Sequence, residues 1–107
     1  MAKFYVQSGN RKLVVSAMDS QAAALWLVHR SLDALMPIYE NGDYSPEHRC
    51  EMALFLGLKQ LGNQVYLSQR GFDRQDAESI DVFELIQVWH QLTTAILRLQ
   101  ADFNSAD

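Results

Sequence analysis

The sequence predicts an α+β domain in which a small, mainly antiparallel sheet is covered on one face by helices. Two observations carry this expectation. Residues 3–17 alternate as a pair of strands, and residues 81–103 carry a wide apolar face at helical spacing. The predicted order is ββααβα, three strands and three helices in two layers, with no internal repeat.

The hairpin comes first. Phe4, Val6 and Ser8 alternate with Lys3, Tyr5 and Gln7, and Leu13 and Val15 alternate with Lys12, Val14 and Ser16. A period of two marks a half-buried strand. Gly9-Asn10 suits a two-residue primed turn, which requires positive φ. With Ser8 opposite Arg11, Val6 pairs with Leu13 and Phe4 with Val15 on one face. Lys3, Gln7, Lys12 and Ser16 share the other face with the Tyr5–Val14 pair.

A first helix is expected over 19–36, capped by Asp19 or Ser20. Pro37 stops it, because the residue before proline avoids helical geometry. Its predicted buried face is Met18, Ala22, Leu25, His29, Leu32 and Met36. Residues 37–45 read as a loop turning at Asn41-Gly42. The second helix, 45–61, starts with Ser45 as cap, Pro46 in the first position and Glu47 in the first turn. Gly62 is expected to end it as a left-handed cap. One face carries Cys50, Ala53, Leu54, Gly57, Leu58 and Leu61, small enough in places for close approach, while Met52, Phe55 and Leu56 lie on other faces.

Residues 64–70 alternate as a third strand, and a charged connection from Gly71 to Glu78 leads to the last helix, 81–103. Asp81 with Glu84 forms a capping box there, and Ile80 and Leu85 sit where a hydrophobic staple closes. The main face is Val82, Leu85, Ile86, Trp89, Leu92, Thr93, Ile96, Leu99 and Phe103. A second stripe of Phe83, His90 and Leu97 runs about 100° around the wheel. So wide an arc exceeds what one sheet covers, and the helix is expected to meet two surfaces.

Composition bounds the function. At 107 residues, 49% of them apolar and 10% aromatic, the chain supplies one domain with one core. The small, polar run Asn104-Ser105-Ala106-Asp107 is expected to fray. The net charge of −4 argues against the concentrated positive surface of a duplex-binding protein. Single-strand binding by the sheet needs several stacking aromatics, and Tyr5 is the one that this face offers. No apolar stretch approaches the ~20 residues needed to span a bilayer. Met1-Ala2-Lys3 leads into a strand pattern rather than a leader. The lone Cys50 has no disulfide partner, so the expected setting is a reducing one, the bacterial cytoplasm.

Chemistry-bearing patterns are sparse. Among the serines there is no Gly-x-Ser-x-Gly elbow, and the five glycines stand singly. His48-x-Cys50 points its side chains about 160° apart on a helix, so no metal site and no cofactor is expected. His29 and His90 are the pocket candidates, each lying among apolar neighbours at helical spacing. Convergence of the two would make a site. The interface candidates are Met52, Phe55, Leu56, Phe83, His90 and Leu97, with Tyr39 and Tyr44 from the loop.

Three groups of residues resemble small uncharacterised bacterial proteins. They are Phe4-Tyr5-Val6-Gln7-Ser8-Gly9, Ala23-Ala24-Leu25-Trp26-Leu27-Val28-His29-Arg30, and Arg70-Gly71-Phe72-Asp73 with Trp89-His90-Gln91-Leu92. The resemblance spans most of the chain, includes no motif of known activity and transfers no site. The expected function is a non-catalytic protein-interaction module that self-associates as a homodimer. The alternative is a small-molecule-binding protein or enzyme with its pocket at His29 and His90.

Overall fold

The computed structural model describes residues 1–104. The elements are β1 (Ala2–Ser8), β2 (Arg11–Ala17), α1 (Ser20–Ser31), a 3-10 turn (Asp33–Leu35) and α2 (Met36–Glu40). They continue as α3 (Pro46–Gln60), β3 (Gln64–Ser68), β4 (Glu78–Asp81) and α4 (Val82–Asn104). The fold is α+β, and the sheet has four antiparallel strands in the order β2-β1-β3-β4. Of the run 104–107 expected to fray, Asn104 is the last residue of α4, and the other three lie outside the described residues.

The hairpin register is the expected one, Val6 opposite Leu13 and Phe4 opposite Val15. Gly9 takes φ +57 while Asn10 does not, the pattern of a II′ turn. Phe4, Val6, Ser8, Val65 and Leu67 turn one sheet face inward. That face packs against α1, and α4 packs against both α1 and α3. Tyr5, Tyr66 and Phe72 lie toward the outer side, where Tyr5 meets Phe72 edge-on at 5.2 Å. Lys12 lies over the Phe72 ring and pairs with Asp73 at 3.2 Å, so its charge is already engaged.

The three-stranded ββααβα expectation is corrected in two places. First, the presumed connection before the last helix contains β4, with Val65 opposite Ile80 and Gln64 opposite Asp81. Four residues with one apolar side chain show no period of their own; the free edge of β3 organises them. Second, the first helix does not run to Met36. It breaks after Ser31, turns through 33–35 and restarts as α2, with Pro37 in the first turn of the new helix rather than ending the old one.

The buried side of α1 also differs. Ala23, Ala24, Leu27, Val28 and Ser31 face the core, whereas Met18 is exposed and Ala22, Leu25, His29 and Met36 are half-buried. Both sets have helical spacing. The paired alanines are the better match to a sheet, because they let the helix axis approach the strands.

Gly62 is not a left-handed cap: α3 closes through Leu61 in extended geometry. Its smallness serves an approach between elements. A Cβ on Gly62 would lie 3.3 Å from the Gly9 backbone nitrogen. Buried Ser8 holds this corner, its Oγ donating to the Gln64 carbonyl (2.7 Å) and accepting from the Gly62 N–H (2.9 Å). The expected N-caps all form locally. Asp19 accepts from Ala22 N–H, Ser45 from His48 N–H and Asp81 from Glu84 N–H.

Candidate functional site

Two features of the molecule could engage another molecule: a groove between α1 and α4, and the half of α4 that extends past the body. The groove encloses about 500 Å³. On the α1 side it is lined by Ala22, Leu25, Trp26 and His29, and on the α4 side by Trp89, Leu92, Thr93 and Ile96. Of the face of the first helix that the sequence assigns to the core, Ala22, Leu25, His29 and Met36 are therefore groove wall, while Leu32 is in the core as expected.

Along α4 the buried residues are Val82, Leu85, Ile86, Trp89 and Thr93, and none follows Thr93. From Leu92 onward the apolar stripe opens to solvent: Leu92 is 50% exposed, Ile96 53%, Leu99 68% and Phe103 81%. A helix of 23 residues spans about 34 Å, in a molecule measuring 50 × 29 × 18 Å. The radius of gyration, 15.0 Å, exceeds the roughly 13 Å of a compact chain this long.

An aromatic row runs across the base of the groove. Trp26 meets His29 edge-on (5.9 Å), His29 neighbours Trp89 (6.4 Å), Trp89 meets Tyr39 (5.1 Å) and Tyr39 meets His90 (5.5 Å). The two histidines do not converge on one cavity. His29 lines the groove, whereas His90 lies at the other end of the row against Tyr39.

The hydrogen bonds set the tautomer of each ring. Trp89 Nε1–H donates to His29 Nδ1 at 3.1 Å. An indole only donates, so Nδ1 presents its lone pair and the neutral ring carries its proton on Nε2. The Tyr39 hydroxyl has one proton and two partners, the Arg49 carbonyl (3.2 Å) and His90 Nδ1 (2.6 Å). A carbonyl only accepts. Both bonds therefore form when Tyr39 donates to Arg49 and accepts from His90 Nδ1–H.

Burial pushes the Tyr39 hydroxyl far above its ordinary value, with Cys50 adding to the rise and Arg49 opposing it. Tyr39 stays a neutral phenol. Burial holds the His90 ring below the ordinary histidine value, and Arg49 pushes the same way. A ring that is harder to protonate when folded binds fewer protons than in the unfolded chain, so stability rises with pH across this window. Stability should thus be full above about pH 6.5, the unfolded histidine value, and fall as pH drops below it. His90→Gln should flatten that slope between pH 7 and 5 in denaturation series. An unchanged slope would show that the ring does not contribute.

The remaining candidates are dispersed. Tyr39 is 1% exposed and belongs to the core, because the 36–40 helix turns it inward. It is thus not an exposed contact residue. Tyr44 stays in the loop, stacked on His48 at 5.4 Å. Phe55 is exposed on α3, with Met52 and Leu56 half-buried beside it in sequence. Phe83 is largely exposed on α4, and Leu97 lines the groove. Periodicity points to the second α4 stripe as the excess surface and assigns Leu92, Ile96, Leu99 and Phe103 to packing; of the large apolar side chains of α4, the fold exposes these four most. Among the described residues no three His, Cys, Asp or Glu side chains gather to hold a metal, and no helix is long and apolar enough to cross a membrane. No family model, curated protein or solved structure matches this chain.

Proposed function

We propose that this protein is a non-catalytic interaction module that self-associates through the protruding half of α4. The observation that carries this reading is the uninterrupted exposure of Leu92, Ile96, Leu99 and Phe103 on one side of a single helix. A contiguous apolar patch of this kind marks an interface more often than it marks a tolerated surface. The accessible surface agrees in size. At 6895 Å² it exceeds, by several hundred Å², the roughly 6,100 Å² of a compact 12.2 kDa domain. One side of a standard interface covers about 800 Å². A symmetric dimer is the commonest assembly that hides such a patch.

Sedimentation tests the proposal. The native chain should run as a dimer at high micromolar concentration. Leu99→Asp with Phe103→Asp should run as a monomer and keep its melting behaviour, since both side chains are exposed in the protomer. A native chain that stays monomeric would sink the reading.

A second reading, small-molecule binding, is favoured by the groove itself. About 500 Å³ is within the range of ligand sites, and His29 places one ring edge among apolar walls. A neutral amphiphile such as 1-decanol should then shift the Trp26 and Trp89 indole signals saturably in ¹H–¹⁵N spectra. Unmoved indole signals at saturating decanol would rule this reading out.

A further inference from the structure

We infer that the partner at this face is the α4 helix of a second copy, packed antiparallel across the α1–α4 groove. Leu92 then meets the partner's Phe103, and Ile96 meets the partner's Leu99. This rests on the self-association proposed above and specifies its geometry.

The spacing of the exposed side chains selects a helix as the occupant. Leu85, Trp89, Leu92, Ile96, Leu99 and Phe103 follow one another at intervals of four, three, four, three and four residues. Alternating threes and fours form the seam of a heptad repeat, which packs knobs into the holes of another helix. The seam is used twice. Leu85 and Trp89 are spent inside the protomer, and the last four members are left open.

The body of the protein selects the direction. Everything that covers Leu85 and Trp89 lies at the N-terminal end of α4. In a parallel pair both bodies would sit at the same end, wedged between the two helices. In an antiparallel pair centred between Ile96 and Leu99, the two bodies lie at opposite ends of the helix pair. All four exposed residues then fall into four layers, with none left over. The helix dipoles are opposed, which is the favourable arrangement. The positions flanking the seam are Thr93, Ala95, Gln100 and Asp102, so the single acid faces the partner's Ala95 and no like charges meet. Leu25 and Trp26 on α1 border Leu92 and Ile96 and complete the receiving surface, so two α1 and two α4 helices make a four-helix arrangement.

Disulfide trapping tests this geometry. In a Cys50→Ser background, which removes the one native cysteine, Leu92→Cys and Phe103→Cys are oxidised separately and as a mixture. Antiparallel pairing sets the two Leu92 positions about 16 Å apart along the axis, beyond the roughly 7 Å between Cα atoms that a disulfide spans. The mixture should therefore crosslink as a heterodimer while each single variant stays uncrosslinked. Single variants that crosslink to themselves would overturn the antiparallel geometry in favour of a parallel one. A mixture that fails to crosslink, while sedimentation still shows a dimer, would overturn this interface and leave self-association standing. A monomer in sedimentation would overturn both. Because each cysteine removes a seam side chain, spin labels at Gln91 and Arg98, outside the seam, supply a second measurement. The antiparallel pair predicts a longer separation between the two labels at 91 than between the two at 98; equal separations would overturn it.

Discussion

Trp89→Ala is expected to lower the free energy of unfolding by about 3–5 kcal/mol. Trp89 is 4% exposed and joins the elements that meet at the centre of the molecule. Its ring abuts Tyr39 at 5.1 Å and 77°, and its Nε1–H is held by His29. Truncation leaves a cavity, removes the ring contact and takes away the donor that orients His29. Domains of this size hold about 5–15 kcal/mol in total, so the variant should be marginal or unfolded at ambient temperature. Trp89→Phe separates the contributions: it retains most of the packing and loses the hydrogen bond, at about 1–3 kcal/mol. Urea denaturation followed by far-UV circular dichroism measures both. It must be done at one protein concentration, because association adds apparent stability by mass action. A loss below about 1 kcal/mol for Trp89→Ala would be incompatible with the cavity cost of a buried tryptophan.

Gly57→Ala should also destabilise, against the usual sign. Glycine inside a helix costs about 0.5–1 kcal/mol relative to alanine, so this change ordinarily helps. Here a Cβ on residue 57 would collide with Ile86 Cδ1 and stand 3.6 Å from Leu32 Cδ2. Ile86 and Leu32 are both fully buried, which leaves Ile86 little room to withdraw. Overpacking of this kind costs about 1–3 kcal/mol. Ile86→Val removes the atom that clashes, so the double variant Gly57→Ala, Ile86→Val should be more stable than the two single effects added together. Additivity, or a Gly57→Ala that is more stable than the native chain, would mean that α3 and α4 do not approach this closely.

What could be read in the sequence shares a property: its partners lie within a few residues. The caps at Asp19, Ser45 and Asp81 close over three residues. The hairpin register follows from an alternation of two and a glycine at the turn. The apolar breadth of α4 and the small residues of α3 are equally visible, and the two helices meet where Gly57 faces Ile86.

What could not be read depends on partners remote in the chain. Glu78–Asp81 becomes a strand because β3 has a free edge, not because of its own residues. Gly62 looks like a helix stop, yet it is small because Gly9 passes beside it. Two faces of α1 are apolar, and only the sheet decides that Ala23, Ala24, Leu27 and Val28 go inward while Ala22, Leu25 and His29 become a groove wall.

The candidate site shows the division most clearly. By itself the sequence determines that α4 carries one apolar stripe from Val82 to Phe103, since helical periodicity is a local property. The tertiary structure alone decides that this stripe has two fates. The other elements fully bury α4 only as far as Thr93, with Leu97 half-covered beyond it, so Leu85, Ile86 and Trp89 form the core, while Ile96, Leu99 and Phe103, of the same chemistry and spacing, are left in water. Burial depends on what else reaches a side chain, and no window of sequence around Leu99 contains that information.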